Sequence, residues 1–131
     1  MIIDSHCHLT YEPMSNALNE TIQRANKDGI KYMLTISTED KSYEQILKIV
    51  NGYESVYGTY GIHPHEAKSH QHIKSRDIIN KVNQNKKIIG IGETGLDFYY
   101  NHSEKKDQIN SFEEHIAAAQ EKNLPLIIHT R

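Results

Sequence analysis

Met1-Ile2-Ile3-Asp4-Ser5-His6-Cys7-His8-Leu9 is an apolar run that gains polar, ligand-type side chains toward its end. Read as a β-strand it has a period of two. Asp4, His6 and His8 are then expected on one side, about 7 Å apart per step, with Ile3, Ser5, Cys7 and Leu9 on the other. Four further runs of this kind follow, at Lys31 to Ser37, Val56 to Ile62, Lys87 to Gly92 and Leu124 to Thr130. They are short, bounded by turn residues and mostly without strict alternation, the pattern of strands covered on both faces.

The segments between them carry helical spacing. Leu18, Ile22 and Ala25 mark one apolar face, which stops at Asp28-Gly29; Tyr43, Ile46, Leu47 and Val50 mark a second. Ile78, Ile79 and Val82 mark a third, and Ile109, Phe112, Ile116 and Ala119 a fourth. Asp40 and Ser103 are read as helix N-caps. The order is therefore βαβαβαβαβ, and repeated right-handed crossovers predict an α/β fold with a parallel sheet. The last strand has no helix after it. A parallel layer that ends this way is incomplete, so the missing surface is expected from another chain or from further residues.

The 131 residues carry 15 Lys+Arg against 17 Asp+Glu, a net charge of −2, which fits one domain and argues against holding duplex DNA through many phosphate contacts. Apolar runs of only a few residues exclude a membrane span, and the N-terminus shows no secretory pattern. A single cysteine, Cys7, excludes an internal disulfide framework and is expected to pack rather than react; together these features predict a cytoplasmic protein. Mean hydropathy, −0.69, is low for a chain with a large core.

The unusual count is nine histidines. His70, His72, His102 and His115 lie in polar surroundings and are expected at the surface, whereas His6, His8, His63, His65 and His129 fall where apolar runs end. Side chains at the C-terminal ends of parallel strands converge on one rim, where active sites form. His6 and His8 on one strand face can chelate a divalent cation, and imidazole suits zinc, manganese, iron and nickel. Glu93, expected to close the fourth strand between Gly92 and Gly95, is of a type that can bridge two cations; alone it would ordinarily be a solvated carboxylate. His129 would otherwise be an ordinary core residue. His63-Pro64-His65 is a stiff loop after the third strand, able to face substrate or to lie at the surface. Asp97 either supports the site or starts a turn, and Lys86-Lys87 read as a solvated helix end. There is no Gly-x-Ser-x-Gly elbow, P-loop or full dinucleotide fingerprint.

In order and spacing, Asp4-Ser5-His6-Cys7-His8-Leu9, Gly61-Ile62-His63-Pro64-His65, Gly92-Glu93-Thr94-Gly95-Leu96-Asp97 and Leu126-Ile127-Ile128-His129-Thr130-Arg131 resemble the TatD family of metal-dependent hydrolases. Gln108 and Phe112 resemble its Gln-x-x-x-Phe stretch. The resemblance runs from Met1 to Arg131 and implies a TIM-barrel (β/α)8 fold, of which residues 1–131 would be an incomplete N-terminal (βα)4β portion. It implies a deoxyribonuclease, a 3′–5′ exonuclease that hydrolyses phosphodiester bonds with two divalent metal ions (Mg2+, Zn2+ or Mn2+). Carried over by motif, His6 and His8 would hold one ion, Glu93 would bridge both, and His129 would hold the second. His63, His65 and the aromatic segment after Asp97 would border the substrate. The family pattern continues with another histidine ligand and an aspartate that these residues do not include, so no catalytic residue is assigned. The expected partner is DNA, single-stranded or at 3′ ends, which needs only local phosphate contacts, and no stable protein partner or membrane is expected. Two alternatives stay open: an inactive, truncated remnant, and a related barrel hydrolase acting on a small ester or amide.

Overall fold

A computed structural model describes residues 1–131. Its elements run β1 (Ile2–Cys7), α1 (Leu18–Lys27), β2 (Ile30–Thr35), α2 (Tyr43–Gly52), β3 (Val56–Tyr60), α3 (Ser75–Val82), β4 (Ile88–Leu96), α4 (Lys105–Lys122) and β5 (Leu126–Thr130), with short 3-10 helices at Met14–Ala17, Asp40–Ser42 and Pro64–Ser69. All five strands are parallel and lie in the order β1-β2-β3-β4-β5. Each strand returns through a helical crossover, so neighbours in sequence become neighbours in space, as the alternation predicts. The result is a half-barrel with β1 and β5 as its edges.

The core lies between helices and sheet. Ile46, Ile49 and Val50 of α2, Ile78 and Val82 of α3, and Ala118 and Ala119 of α4 share one cluster with Met33, Val56, Tyr60, Ile88 and Ile91 from the strands. On the other face Ile3, Ser5, Tyr32, Leu34, Tyr57 and Ile89 border an open apolar hollow of about 420 Å3. A sheet packed on one face needs fewer apolar residues; only 35 of 131 residues are buried, which reconciles the low hydropathy with a well-formed core.

Several expectations change. In β1 the partners Asp4↔Met33 and Cys7↔Thr35 differ by one step, so a bulge falls between them and breaks the alternation. Asp4 therefore shares a face with core-facing Met33 and with Cys7, not with His6 and His8. β4 does not end at Gly92 but runs on to Leu96. Neither Asp40 nor Ser103 caps a helix: Asp40 accepts a hydrogen bond from the Tyr60 hydroxyl (2.7 Å) and pairs with Lys81 (3.3 Å). Ser103 accepts from the Lys68 N–H and donates to the His65 carbonyl, both at 3.0 Å. Tertiary partners outcompete the local N–H groups in both cases.

The buried side of α4 is Gln108, His115, Ala118 and Ala119, while Ile109 is exposed. His115 is thus no surface residue: its Nδ1–H donates to the Ser111 carbonyl (2.6 Å) and its Nε2 accepts the Ile62 N–H (3.0 Å). His70 is half-buried, accepting the Asp40 N–H at 3.3 Å. Lys87 is half-buried rather than a free surface charge: its ammonium donates to the carbonyls of Val50 and Tyr53, both at 2.7 Å, and satisfies the C-terminal end of α2.

Candidate metal centre

Glu93 reaches the rim through a defect in the ladder. β4 and β5 pair Gly92↔Ile127 and then Thr94↔Ile128, which leaves Glu93 as the extra residue of a bulge. Two glycines make the bulge feasible. Gly92 has φ +141° and a Cβ there would lie 2.5 Å from the Ile127 carbonyl oxygen; Gly95 has φ +137° and a Cβ would run into the carbonyl oxygen of His129. Polar side chains at the strand ends then fix the peptide. The Thr59 hydroxyl donates to the Gly92 carbonyl (2.7 Å) and accepts the Ser37 N–H (3.1 Å), while the Glu93 N–H donates to the Ser37 carbonyl (2.8 Å).

The Glu93 side chain is largely buried and lies between two histidine groups. Its Oε2 is 3.4 Å from His6 Nε2 and 3.9 Å from His8 Nε2; its Oε1 is 3.3 Å from His129 Nδ1. His129 Nδ1 is also 3.3 Å from His63 Nε2. The protons on this second group follow from its partners. Nδ1 of His63 accepts the His65 N–H (3.1 Å), so the neutral ring carries its proton on Nε2, aimed at His129. Nε2–H of His129 donates to Asp97 Oδ2 (3.0 Å), which leaves Nδ1 as its lone-pair atom beside Glu93. Burial pushes His63 down to about 4, with Glu93 opposing, and burial also lowers His8, so both rings are neutral near pH 7.

These atoms suit a divalent cation. Imidazole and carboxylate are its usual donors, and ligands about 2.0–2.1 Å from a tetrahedral ion stand roughly 3.3 Å from each other. His8 turns Nε2 toward Glu93, while its buried Nδ1, on the other side of the ring, has no hydrogen-bond partner.

Asp97 holds the arrangement. It is wholly buried; Oδ2 accepts from Nε2–H of His65 (2.7 Å) and of His129, and Oδ1 accepts the Tyr100 N–H (3.0 Å). Burial alone would raise its carboxyl, but these donors hold it well below the ordinary carboxylate range. Gln108 in turn accepts the Asp97 N–H (2.8 Å) and donates to the Asp97 and Ser103 carbonyls.

His6, His8 and Glu93 therefore form one group able to hold an ion, and His63, His65 and His129 form another. Sequence reasoning set His63 and His65 apart from His129, whereas the fold gathers all three. It left Gln108 without a role and missed His115, although their seven-residue spacing puts both on one helix face. Cys7 packs beside the core, its thiol pushed up to about 12 by burial and the Asp4 charge. No helix is long and apolar enough to cross a membrane.

A family model described as TatD related DNase matches residues 3–131. An uncharacterized metal-dependent hydrolase of Buchnera aphidicola subsp. Baizongia pistaciae is 35% identical over 99% of this chain and 49% of its own length. YabD of Bacillus subtilis, also named an uncharacterized metal-dependent hydrolase, is 31% identical over 100% of this chain and 51% of its own. The 3′-5′ ssDNA/RNA exonuclease TatD of Salmonella typhimurium is 30% identical over 99% of this chain and 50% of its own. The crystal structure of YjjV, a TatD homolog from Escherichia coli K12, superposes with a TM-score of 0.80 at 25% identity, covering 99% of this chain and 51% of that one. The chain spans about half the length of the relatives it matches.

Proposed function

The chain belongs to the TatD-related DNase family, and from that membership we propose that residues 1–131 are the N-terminal portion of a single metal-dependent hydrolase barrel that cleaves phosphodiester bonds in DNA. His6 and His8 hold one divalent ion, His129 holds a second, and Glu93 joins the two. His63 and His65 face the substrate. The observation that carries this reading is the placement of Glu93, with one oxygen toward His6 and His8 and the other toward His129. Two cations so placed supply Lewis acidity to a phosphodiester and its leaving oxygen. The protein's own part is to orient neutral imidazoles: Asp97 holds the protons of His65 and His129 away from the ions, a carboxylate–histidine arrangement that fixes tautomer and ring angle.

The Salmonella relative's name supports single-stranded DNA and 3′–5′ polarity for this chain. The ions are Mg2+, Zn2+ or Mn2+. The test is calorimetric titration of the chain with Zn2+ and Mn2+, beside release of nucleotides from 3′-labelled single-stranded DNA with and without chelator. Weak uptake by residues 1–131 that Glu93→Gln weakens further is expected, as is chelator-sensitive release by the longer barrel they belong to. Absence of metal uptake sinks the centre; metal uptake by the longer barrel without release from DNA sinks the nuclease.

A further inference from the structure

We propose that Tyr11, on the turn that follows β1, is a positioning residue whose ring lies flat against His8 and holds that imidazole with Nε2 toward Glu93, an inference that rests on the metal-centre reading above. The two rings are stacked, 8° from parallel with centroids 4.7 Å apart. His8 needs such a hold. His65 and His129 are fixed through Nε2 by Asp97, and His63 through Nδ1 by the His65 N–H. The buried Nδ1 of His8 has no hydrogen-bond partner, and its Nε2 stands 3.9 Å from Glu93 Oε2. The angle of this ring is therefore left to packing. His6 meets it only edge-on, at 73° with centroids 5.2 Å apart, so the parallel face of Tyr11 is the contact that sets it.

Tyr11 is placed by the backbone and pinned through its hydroxyl. The Tyr11 N–H donates to the His8 carbonyl (3.2 Å), a turn that brings side chains 8 and 11 together. Within that turn Leu9 is buried and its N–H donates to the Thr35 hydroxyl (3.1 Å), which anchors the turn on β2. Core packing does not explain the tyrosine itself, which is 43% exposed. Its hydroxyl lies 2.8 Å from that of Thr38, whose carbonyl accepts the His63 N–H (2.8 Å). Thr38 thus ties the Tyr11 ring with its side chain and the His63 loop with its main chain. An aromatic ring that stays outside the core, lies parallel to a candidate ligand and spends its hydroxyl on the next loop serves the ligand more than the fold. Partners that orient a metal-binding imidazole in this way tune its affinity for the ion.

The test is histidine footprinting with diethyl pyrocarbonate during a Zn2+ titration of the dilute chain, each imidazole being read separately by mass spectrometry. In wild type, Zn2+ is expected to protect both His8 and His129. Tyr11→Leu should raise the Zn2+ concentration for half-protection of His8 about 2- to 13-fold, the worth of one aromatic pair, and leave that of His129 unchanged. Tyr11→Phe keeps the ring but not the pin, and should fall between wild type and Tyr11→Leu. Thr38→Val should match Tyr11→Phe and add nothing to it in the double variant. An unmoved His8 midpoint in Tyr11→Leu, an equal rise at His8 and His129, or a Tyr11→Phe as weak as Tyr11→Leu overturns the positioning role while the metal centre stands. No protection of either histidine in wild type overturns both.

Discussion

Asp97 shows how one side chain can serve three partners. With one oxygen it fixes the rings of His65 and His129, and with the other it anchors Tyr100, so the proposed ligand His129, the proposed substrate-facing His65 and the loop after β4 share a single buried carboxylate. Its three donors keep it ionised throughout ordinary pH. Asp97→Asn preserves size but not charge, and an amide cannot accept from both imidazoles as strongly. Zn2+ or Mn2+ affinity should fall about 10–100-fold by calorimetry, the usual effect of removing a partner of a metal-bound histidine. An unchanged affinity would mean that His129 needs no help to present Nδ1. The contrast with Cys7 is instructive: one strand position from either His6 or His8, it faces the core, and its raised pKa leaves an inert thiol.

Among the elements, α4 supports the site through Gln108 at Asp97 and through His115, which links it to the segment that follows β3. Burial lowers His115 from 6.5 to about 4, so the folded chain keeps this ring neutral where the unfolded chain would protonate it. The sign follows: between those two values the unfolded state binds more protons, so stability is full above pH 6.5 and declines as pH falls toward 4. The loss attributable to this residue is about 3 kcal/mol. Urea unfolding at a series of pH values should show the decline in wild type and a flatter profile in His115→Gln; parallel profiles would remove His115 from the account. At this scale the five strands and four helices were legible because alternating apolar runs and turn residues report burial directly. The bulges were not. In β1 and β4 one extra residue shifts side chains between faces, which moves Asp4 off the rim and aims Glu93 into it, and neither shift leaves a mark on local periodicity. The α4 stripe departs from its apolar spacing for a related reason, since its buried side is partly polar: Gln108 bonds the backbone of Asp97 and Ser103, and His115 bonds the Ile62 N–H and the Ser111 carbonyl of α4. The strand-end histidines are legible because imidazole is rare at so many run ends, but the pairing of His63 with His129 depends on β3 and β5 flanking β4, a tertiary fact.

For the molecule as a whole, one sheet face is covered by helices and the other is not. Ile3, Tyr32 and Ile89 are 56%, 44% and 40% exposed on or beside the open apolar hollow, and β1 and β5 each present an unpaired strand edge. Apolar surface of this kind together with free edges favours association, and a net charge of −2 supplies little repulsion against it. The 131-residue chain should therefore self-associate as its concentration rises, seen as increasing mass by light scattering on a sizing column, and should bind an apolar dye. Ile89→Lys puts a charge on the open face without touching either edge, and should lower both the mass and the dye signal with the helical circular dichroism intact. If association persists in that variant while dye binding is lost, the edges drive it; a chain monomeric at every concentration and blind to the dye would show that the open face is tolerated in water.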